Sequence, residues 1–228
     1  MRRRKKTELI VILPAYNEEQ NVEGMLETWG EERKILRQQY GLQLKIVVVN
    51  DGSRDKTKEI CMSLIDKNEN ITLVNHERNK GLGAAIKSGI LFAIEKCPNR
   101  KYICIMDCDN TQNPHFILDM IDKVEKGRKK DRADVVIASR YQKGAKVEGV
   151  ANYRIVTSQG ARLIYGLLFH VKNVKDYTCG YRLYTGDILE RGYSQYGTQI
   201  IEELGFSCMP ELLYKLHCIG AKFEEIPF

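Results

Sequence analysis

The 228-residue sequence predicts an α/β fold, a largely parallel sheet with helices on both faces. Three observations predict it. Short apolar, β-branched runs alternate with helix-spaced segments from Leu9 to Arg140. Most of these runs are apolar with little or no alternation, as in a strand covered on both faces. Each run also ends in a loop bearing Pro, Gly, Asp or Arg, and in a parallel sheet such loops share one edge.

In chain order, Leu9 to Leu13 is the first strand, closed by Pro14. Asn17 is expected to cap a helix whose first turn holds Glu18 and Glu19. Val22, Met25 or Leu26, Trp29 and Leu36 follow at helical spacing. Leu44 to Val49 is the second strand, with Ser53 or Asp55 capping a helix that buries Ile60 and Leu64. Ile71 to Val74 is the third strand, and Gly83 to Ile94 the next helix. Tyr102 to Met106 is the fourth strand, running into Asp107-Cys108-Asp109. Pro114 opens a helix that runs to Lys126, and Val135 to Ala138 is the fifth strand. Beyond it, Tyr153 to Val171 reads as a helix weakened by Gly160 and Gly166. Arg154, Ser158, Arg162 and Tyr165 share one side of it. Its apolar side could rest on the core, lie on lipid, or do both. Residues 176–184 read as loop then strand. Pro210 opens a last helix through Cys218, and Lys222 to Phe228 is a closing strand.

Composition narrows the function. Hydrophobic residues make up 43% and charged residues 29%, which marks a globular chain. No stretch approaches the ~18–20 apolar residues of a membrane-spanning helix. Leu9 to Leu13 is too short for a signal-peptide core. The seven cysteines are odd in number, scattered and without a C-x-x-C pair, so the cytosol is the expected compartment and zinc is not expected. The division expected is a basic arm, residues 1–7, and one domain, residues 8–228. The chain stops on Phe228 without a polar tail, which suggests continuation into a longer protein, although a natural end fits too. The net charge of +6 gathers in that arm and between Arg140 and Lys175, among Tyr141, Tyr153, Tyr165 and Phe169. Such a segment suits nucleic acid, an anionic membrane surface or a phosphorylated substrate.

The chemistry centres on Asp107 and Asp109. Two carboxylates one residue apart, at the carboxyl end of a buried strand, suit Mg²⁺ or Mn²⁺ held together with a substrate phosphate. With strand geometry they would point the same way. By themselves they fit equally well as turn residues that cap the helix after Asn113-Pro114. Four more groups share their edge: Pro14 to Glu18, Asp51-Gly52-Ser53, Asn79-Lys80-Gly81-Leu82-Gly83 and Arg140. Asp51 could accept hydrogen bonds from a base or ribose. Gly81 and Gly83 would admit a ligand close to the backbone. A full G-x-G-x-x-G followed by an acid is missing, so a dinucleotide site is not expected.

These motifs have a family likeness. Val11-Ile12-Leu13-Pro14-Ala15-Tyr16-Asn17-Glu18-Glu19, Val47-Val48-Val49-Asn50-Asp51-Gly52-Ser53, Asn79 to Gly83, Met106 to Asp109 and Ala138-Ser139-Arg140-Tyr141 resemble the family-2 inverting glycosyltransferases of the GT-A fold. Ser139-Arg140-Tyr141, Arg154 with Ser158, residues 176–182 and Pro210-Glu211-Leu212-Leu213 before Glu225-Ile226-Pro227 resemble the dolichyl- or polyprenyl-phosphate hexose synthases. The resemblance implies a Rossmann-like sheet and transfer of a hexose from GDP-mannose or a UDP-hexose to a lipid phosphate at a cytosolic membrane face. Nucleic acid is then not a partner. It implies nucleotide-sugar contacts from Pro14, Tyr16, Glu18, Val49, Asp51, Lys80, Asp107, Cys108 and Asp109. It places the metal on Asp107 and Asp109, and the acceptor phosphate on Arg140, Arg154 and Ser158. Asp107, Asp109 and Arg140 would carry catalysis. Relatives often place a metal-contacting Gln where Thr111 stands here, with Gln112 one residue on. Many relatives also continue past the last strand. A hydroxyl acceptor would instead call for a base, and Asp176 or Glu211 could serve. The remaining alternative is a non-catalytic nucleotide-sugar binding module.

Overall fold

The computed structural model describes residues 7–66, 68–126, 132–145 and 169–228. Among these residues, seven strands form one sheet: β1 (Thr7–Ala15), β2 (Leu42–Asn50), β3 (Ile71–Asn75), β4 (Arg100–Ile105), β5 (Val135–Ser139), β6 (Arg182–Thr185) and β7 (Phe223–Pro227). Their spatial order is β3-β2-β1-β4-β6-β5-β7. Among the described residues, five helices of nine or more residues flank β1 to β6: α1 (Val22–Tyr40), α2 (Thr57–Ile65), α3 (Leu82–Lys96), α4 (Phe116–Glu125) and α5 (Gly186–Tyr196). A 3₁₀ turn (Gly197–Ile200) and α6 (Cys208–Cys218) precede β7.

The core forms around β1. Leu9, Ile10, Val11, Ile12 and Leu13 are all inaccessible to solvent, as the unbroken apolar run requires. β1 runs parallel to both β2 and β4, with Leu13 opposite Val48 and Ile12 opposite Ile105. The α1 stripe is the expected one: Val22, Met25, Leu26, Trp29 and Leu36 are buried. Gly41 stops that helix at φ +65, and its N–H bonds the Leu36 carbonyl.

β6 reverses direction. It lies between β4 and β5 and is antiparallel to each, while β5 and β7 are parallel. The carboxyl ends of β1 to β5 therefore still share one edge. The amino end of β6, where residues 176–181 enter, joins them there.

Several local expectations are corrected. Asn17 does not cap α1: its own φ is +57, and the helix starts five residues later at Val22. Asn17 instead bridges loops: its N–H donates to Ser53 Oγ (3.0 Å), and its Oδ1 accepts the Arg54 N–H (2.9 Å). The α2 residues that are buried are Thr57 and Cys61, with Ile60 and Leu64 only half-buried. Lys56 precedes α2, and Asp55 bonds the Thr57 N–H as a cap would. Pro114 and Pro210 do not open their helices. α4 starts at Phe116, and Pro210 is the third residue of α6, where a missing N–H costs nothing. The helix expected over residues 153–171 falls outside the described residues up to 168, with Arg154 and Ser158 in it; so do residues 1–6 of the basic arm.

Candidate functional site

β4 ends at Ile105, so the strand does not extend through the acidic pair. Met106 keeps one sheet-like bond, donating its N–H to the Ile12 carbonyl (3.2 Å), and the chain then leaves the sheet. Asp107 and Asp109 therefore sit in a loop, and period-two alternation does not orient them. Thr111 orients Asp109 instead: its N–H and its hydroxyl both donate to Asp109 Oδ1, at 3.0 and 2.7 Å. Gln112 Nε2 donates to Asp107 Oδ2 (3.1 Å). Gln112 Oε1 is buried and has no hydrogen-bond partner among the described residues.

Burial, then the charge of Asp109, pushes the Asp107 carboxyl up to about 6, against the opposing bond from Gln112. Burial also raises Glu18, opposed by the hydrogen bond from Asn21 (2.7 Å) and reinforced by Asp109. Three carboxylates in mutual repulsion, beside an orphaned amide oxygen, suit a hard cation. No group of three His, Cys, Asp or Glu side chains poised to hold a metal occurs among the described residues. Two carboxylates, the Gln112 oxygen and a ligand's phosphate oxygens would complete such a shell. Gly180 closes on the pair: a Cβ there would lie 2.9 Å from Asp107 Oδ2.

At the ends of β1 and β2, Pro14 and Val49 are buried, and Tyr16 is exposed. The Glu18 N–H donates to Thr57 Oγ1 (2.8 Å), which fixes the loop after β1 against the one after β2. Asp51 is buried and heavily committed. Its Oδ1 accepts from His76 Nδ1 (2.6 Å) and the Lys80 N–H (3.0 Å), and its Oδ2 accepts the Gly81 N–H (2.8 Å). His76 is held in turn by Ser88 Oγ (2.9 Å). Asp51 thus shapes the glycine loop, with one acceptor position left for a ligand. The Lys80 side chain is exposed, and Cys108 is buried.

On the far side, Arg140 follows β5. Its Nε and Nη2 grip Asp176 at 2.9 and 2.8 Å, and Nη2 also reaches Thr178 Oγ1 (2.8 Å). Among the described residues Nη1 has no partner. Asp176 is fully buried. Burial by itself would raise its carboxyl, but the Arg140 hydrogen bonds and charge hold it below the ordinary value. Glu211 is equally committed: it accepts the N–H groups of Glu202 (3.0 Å) and Glu203 (2.9 Å) and the Lys215 ammonium (2.6 Å). Both carboxylates are engaged by backbone amides and a cation.

The sequence reading did not single out His76, Gly180 or Arg182 as site residues. Arg182 is a fully buried guanidinium that bonds the carbonyls of Cys179 (2.9 Å), Tyr177 (2.6 Å) and Met209 (2.9 Å). A lone Arg among apolar neighbours in a predicted strand was the available signal.

A largely parallel sheet whose strand-end loops gather on one edge, with an acidic pair after β4, is the plan of the GT-A glycosyltransferases. Solved structures share this fold: TarS of S. aureus in complex with UDP-GlcNAc (18% identical, TM-score 0.62, covering 96% of this chain and 56% of that one) and mannosyltransferase PcManGT of Pyrobaculum calidifontis in complex with GDP-Man and Mn²⁺ (17%, TM-score 0.58, 96% and 54%). Residues 10–192 match Glycosyl transferase family 2, and the chain belongs to that family. It is 30% identical to a dolichol-phosphate mannosyltransferase of Pyrococcus furiosus over 96% of this chain and 55% of that protein. It is 28% identical to the dolichyl-phosphate beta-glucosyltransferase ALG5A of Trichomonas vaginalis, over 96% and 64%. The chain thus spans a little over half the length of these relatives.

Proposed function

We propose that this chain is the catalytic part of an inverting hexosyltransferase. It would move a hexose from GDP-mannose or a UDP-hexose to a dolichyl or polyprenyl phosphate at the cytosolic face of a membrane. The observation that carries this reading is the commitment of Asp176 and Glu211. A hydroxyl acceptor needs a base. A phosphate monoester, with a second pKa of ~6, is already largely ionised at neutral pH and needs none. A fixed guanidinium whose neighbouring carboxylate, Asp176, is already engaged suits the second acceptor. The names of the relatives support the same choice.

Pro14, Tyr16, Glu18, Val49, Asp51, Lys80 and Cys108 line or shape the donor side in this reading. Asp107 and Asp109, with Gln112 as a further oxygen donor, would hold Mg²⁺ or Mn²⁺. Bound there, the cation would neutralise the leaving diphosphate. Arg140, fixed by Asp176, offers Nη1 to the lipid phosphate; Arg154 and Ser158 are proposed to share that phosphate. An acceptor oxygen aligned by these groups attacks the anomeric carbon as the nucleoside diphosphate leaves, in one displacement.

The test is hexose transfer from GDP-mannose and from UDP-glucose, with Mn²⁺, to polyprenyl phosphate and to free polyprenol. Transfer to the phosphate and not the alcohol is expected, with Arg140→Lys lowering it by about a hundredfold. Equal transfer to the alcohol would overturn the reading.

A further inference from the structure

Arg182 opens β6, between the two strands that carry the site. Its backbone lies opposite Ile105 of β4 on one side and Ile137 of β5 on the other. Ile105 is two residues before Asp107, and Ile137 is three residues before Arg140. The strand that Arg182 begins therefore separates the acidic pair from the Arg140 guanidinium.

The segment just before it, residues 176–180, spans the same gap. Asp176 and Thr178 Oγ1 meet Arg140, and Gly180 packs against Asp107. Glu225 Oε1 pins the entry of the segment, accepting the N–H groups of Lys175 (2.7 Å) and Asp176 (2.8 Å). Tyr181 pins its exit: its carbonyl accepts the Ala138 N–H (3.1 Å), and its hydroxyl donates to the Pro114 carbonyl (2.9 Å). Arg182 holds the middle. Nη2 donates to the Tyr177 carbonyl (2.6 Å), Nε to that of Cys179 (2.9 Å) and Nη1 to that of Met209 on α6 (2.9 Å). Donors on one rigid plane fix two residues of the segment relative to each other and to the helix.

Arg182 has no solvent exposure, and among the described residues its hydrogen bonds go to neutral carbonyls rather than to a carboxylate. Burying a cation is unfavourable unless it is compensated. An apolar side chain of similar volume often serves stability as well or better. Packing alone therefore does not call for an arginine here, whereas holding three carbonyls at fixed separations does. We infer that Arg182 is a positioning residue for the transfer. It sets the span between Arg140, at the acceptor phosphate, and the Asp107–Asp109 pair, at the donor, and it touches no reacting group itself. This inference rests on the polyprenyl-phosphate reading above.

The test compares transfer to polyprenyl phosphate, with Mn²⁺ and either GDP-mannose or UDP-glucose, in the wild-type chain, Arg182→Lys and Arg182→Gln. Lysine keeps the charge but not the fork, and glutamine keeps one donor group without the charge. With the donor that the wild type uses, kcat is expected to fall about a hundredfold, the loss that a misplacement of about 1 Å can give. KM for donor and acceptor should hold within about threefold. In an Arg140→Lys background, where the grip is already loosened, Arg182→Lys should lower kcat by less than about threefold more, because both changes disturb one alignment. Unchanged kcat in both variants overturns the inference. So do independent, multiplying losses in the double variant. Donor binding and melting temperature that fall in step with kcat in both variants also overturn it, since Arg182 would then serve the fold alone. A wild-type chain that glycosylates polyprenol but not its phosphate defeats the acceptor reading, and this inference with it, before any variant is compared.

Discussion

Arg140 and Asp176 lie 36 residues apart, yet Nε and Nη2 of the one meet Oδ2 and Oδ1 of the other at 2.9 and 2.8 Å. Asp176 has no solvent exposure and also accepts the N–H groups of Thr178 (3.2 Å) and Cys179 (3.0 Å). The pair is at once a fold contact and the mount of the proposed phosphate grip.

Truncating one partner strands the other. Arg140→Ala leaves a buried carboxylate without its counter-ion and is expected to cost about 3 kcal/mol in urea unfolding. Arg140→Lys should cost less while still losing the two-pronged grip, so it separates acceptor binding from stability.

The same pair sets a pH response. The Asp176 carboxyl is held below its ordinary value in the folded chain. A depressed carboxyl stabilises the fold at every pH above its unfolded value, near ~4, and the contribution fades as pH falls through the lower folded value. Urea midpoints measured from neutral pH downward should therefore drop below about pH 4. Asp176→Asn should be less stable at neutral pH and show a shallower decline.

His76 touches Asp51 rather than the crevice. His76→Phe removes one of three donors to that carboxylate and frees the Lys80 and Gly81 amides to shift. Donor KM is expected to rise about tenfold with kcat within about twofold, the signature of lost ground-state binding. A fall in kcat at constant KM would contradict this.

Gln112 and Gly180 act on Asp107 from two directions. Gln112→Ala should weaken Mn²⁺ binding about tenfold, measured by titration with the nucleoside diphosphate present. Gly180→Ala pushes a methyl against both carboxylate oxygens, 2.9 and 3.0 Å away, and should weaken Mn²⁺ without lowering the melting temperature much, since Gly180 is not among the glycines with positive φ.

Five parallel strands were legible because each is a short, mostly apolar run rich in β-branched residues, and their shared edge followed from that. The reversed β6 was not: Arg182-Leu183-Tyr184 offers no sign of direction, and Arg182 is buried in its own hydrogen bonds. α5 was missed because Gly186 and Gly192 break its pattern; both are there for close packing, against the Arg100 carbonyl and against Leu216. Asp107 and Asp109 were visible as a pair, but their orientation comes from Thr111 and Gln112. Asp176 and Glu211 were visible as acids, and only the fold reveals that both are spent on backbone amides and cations.

The reversal of β6 has a consequence for how such a chain can diversify. β5 leaves the sheet, and β6 re-enters it, at the same edge, with Ile137 opposite Arg182. The ends of the intervening stretch are buttoned together by Arg140 and Asp176. A connection whose ends meet can be lengthened at little entropic cost, since doubling a loop adds only about 0.6 kcal/mol of closure entropy. A change in length between β5 and β6 would therefore leave the parallel pairing of β1, β2 and β4 as it is.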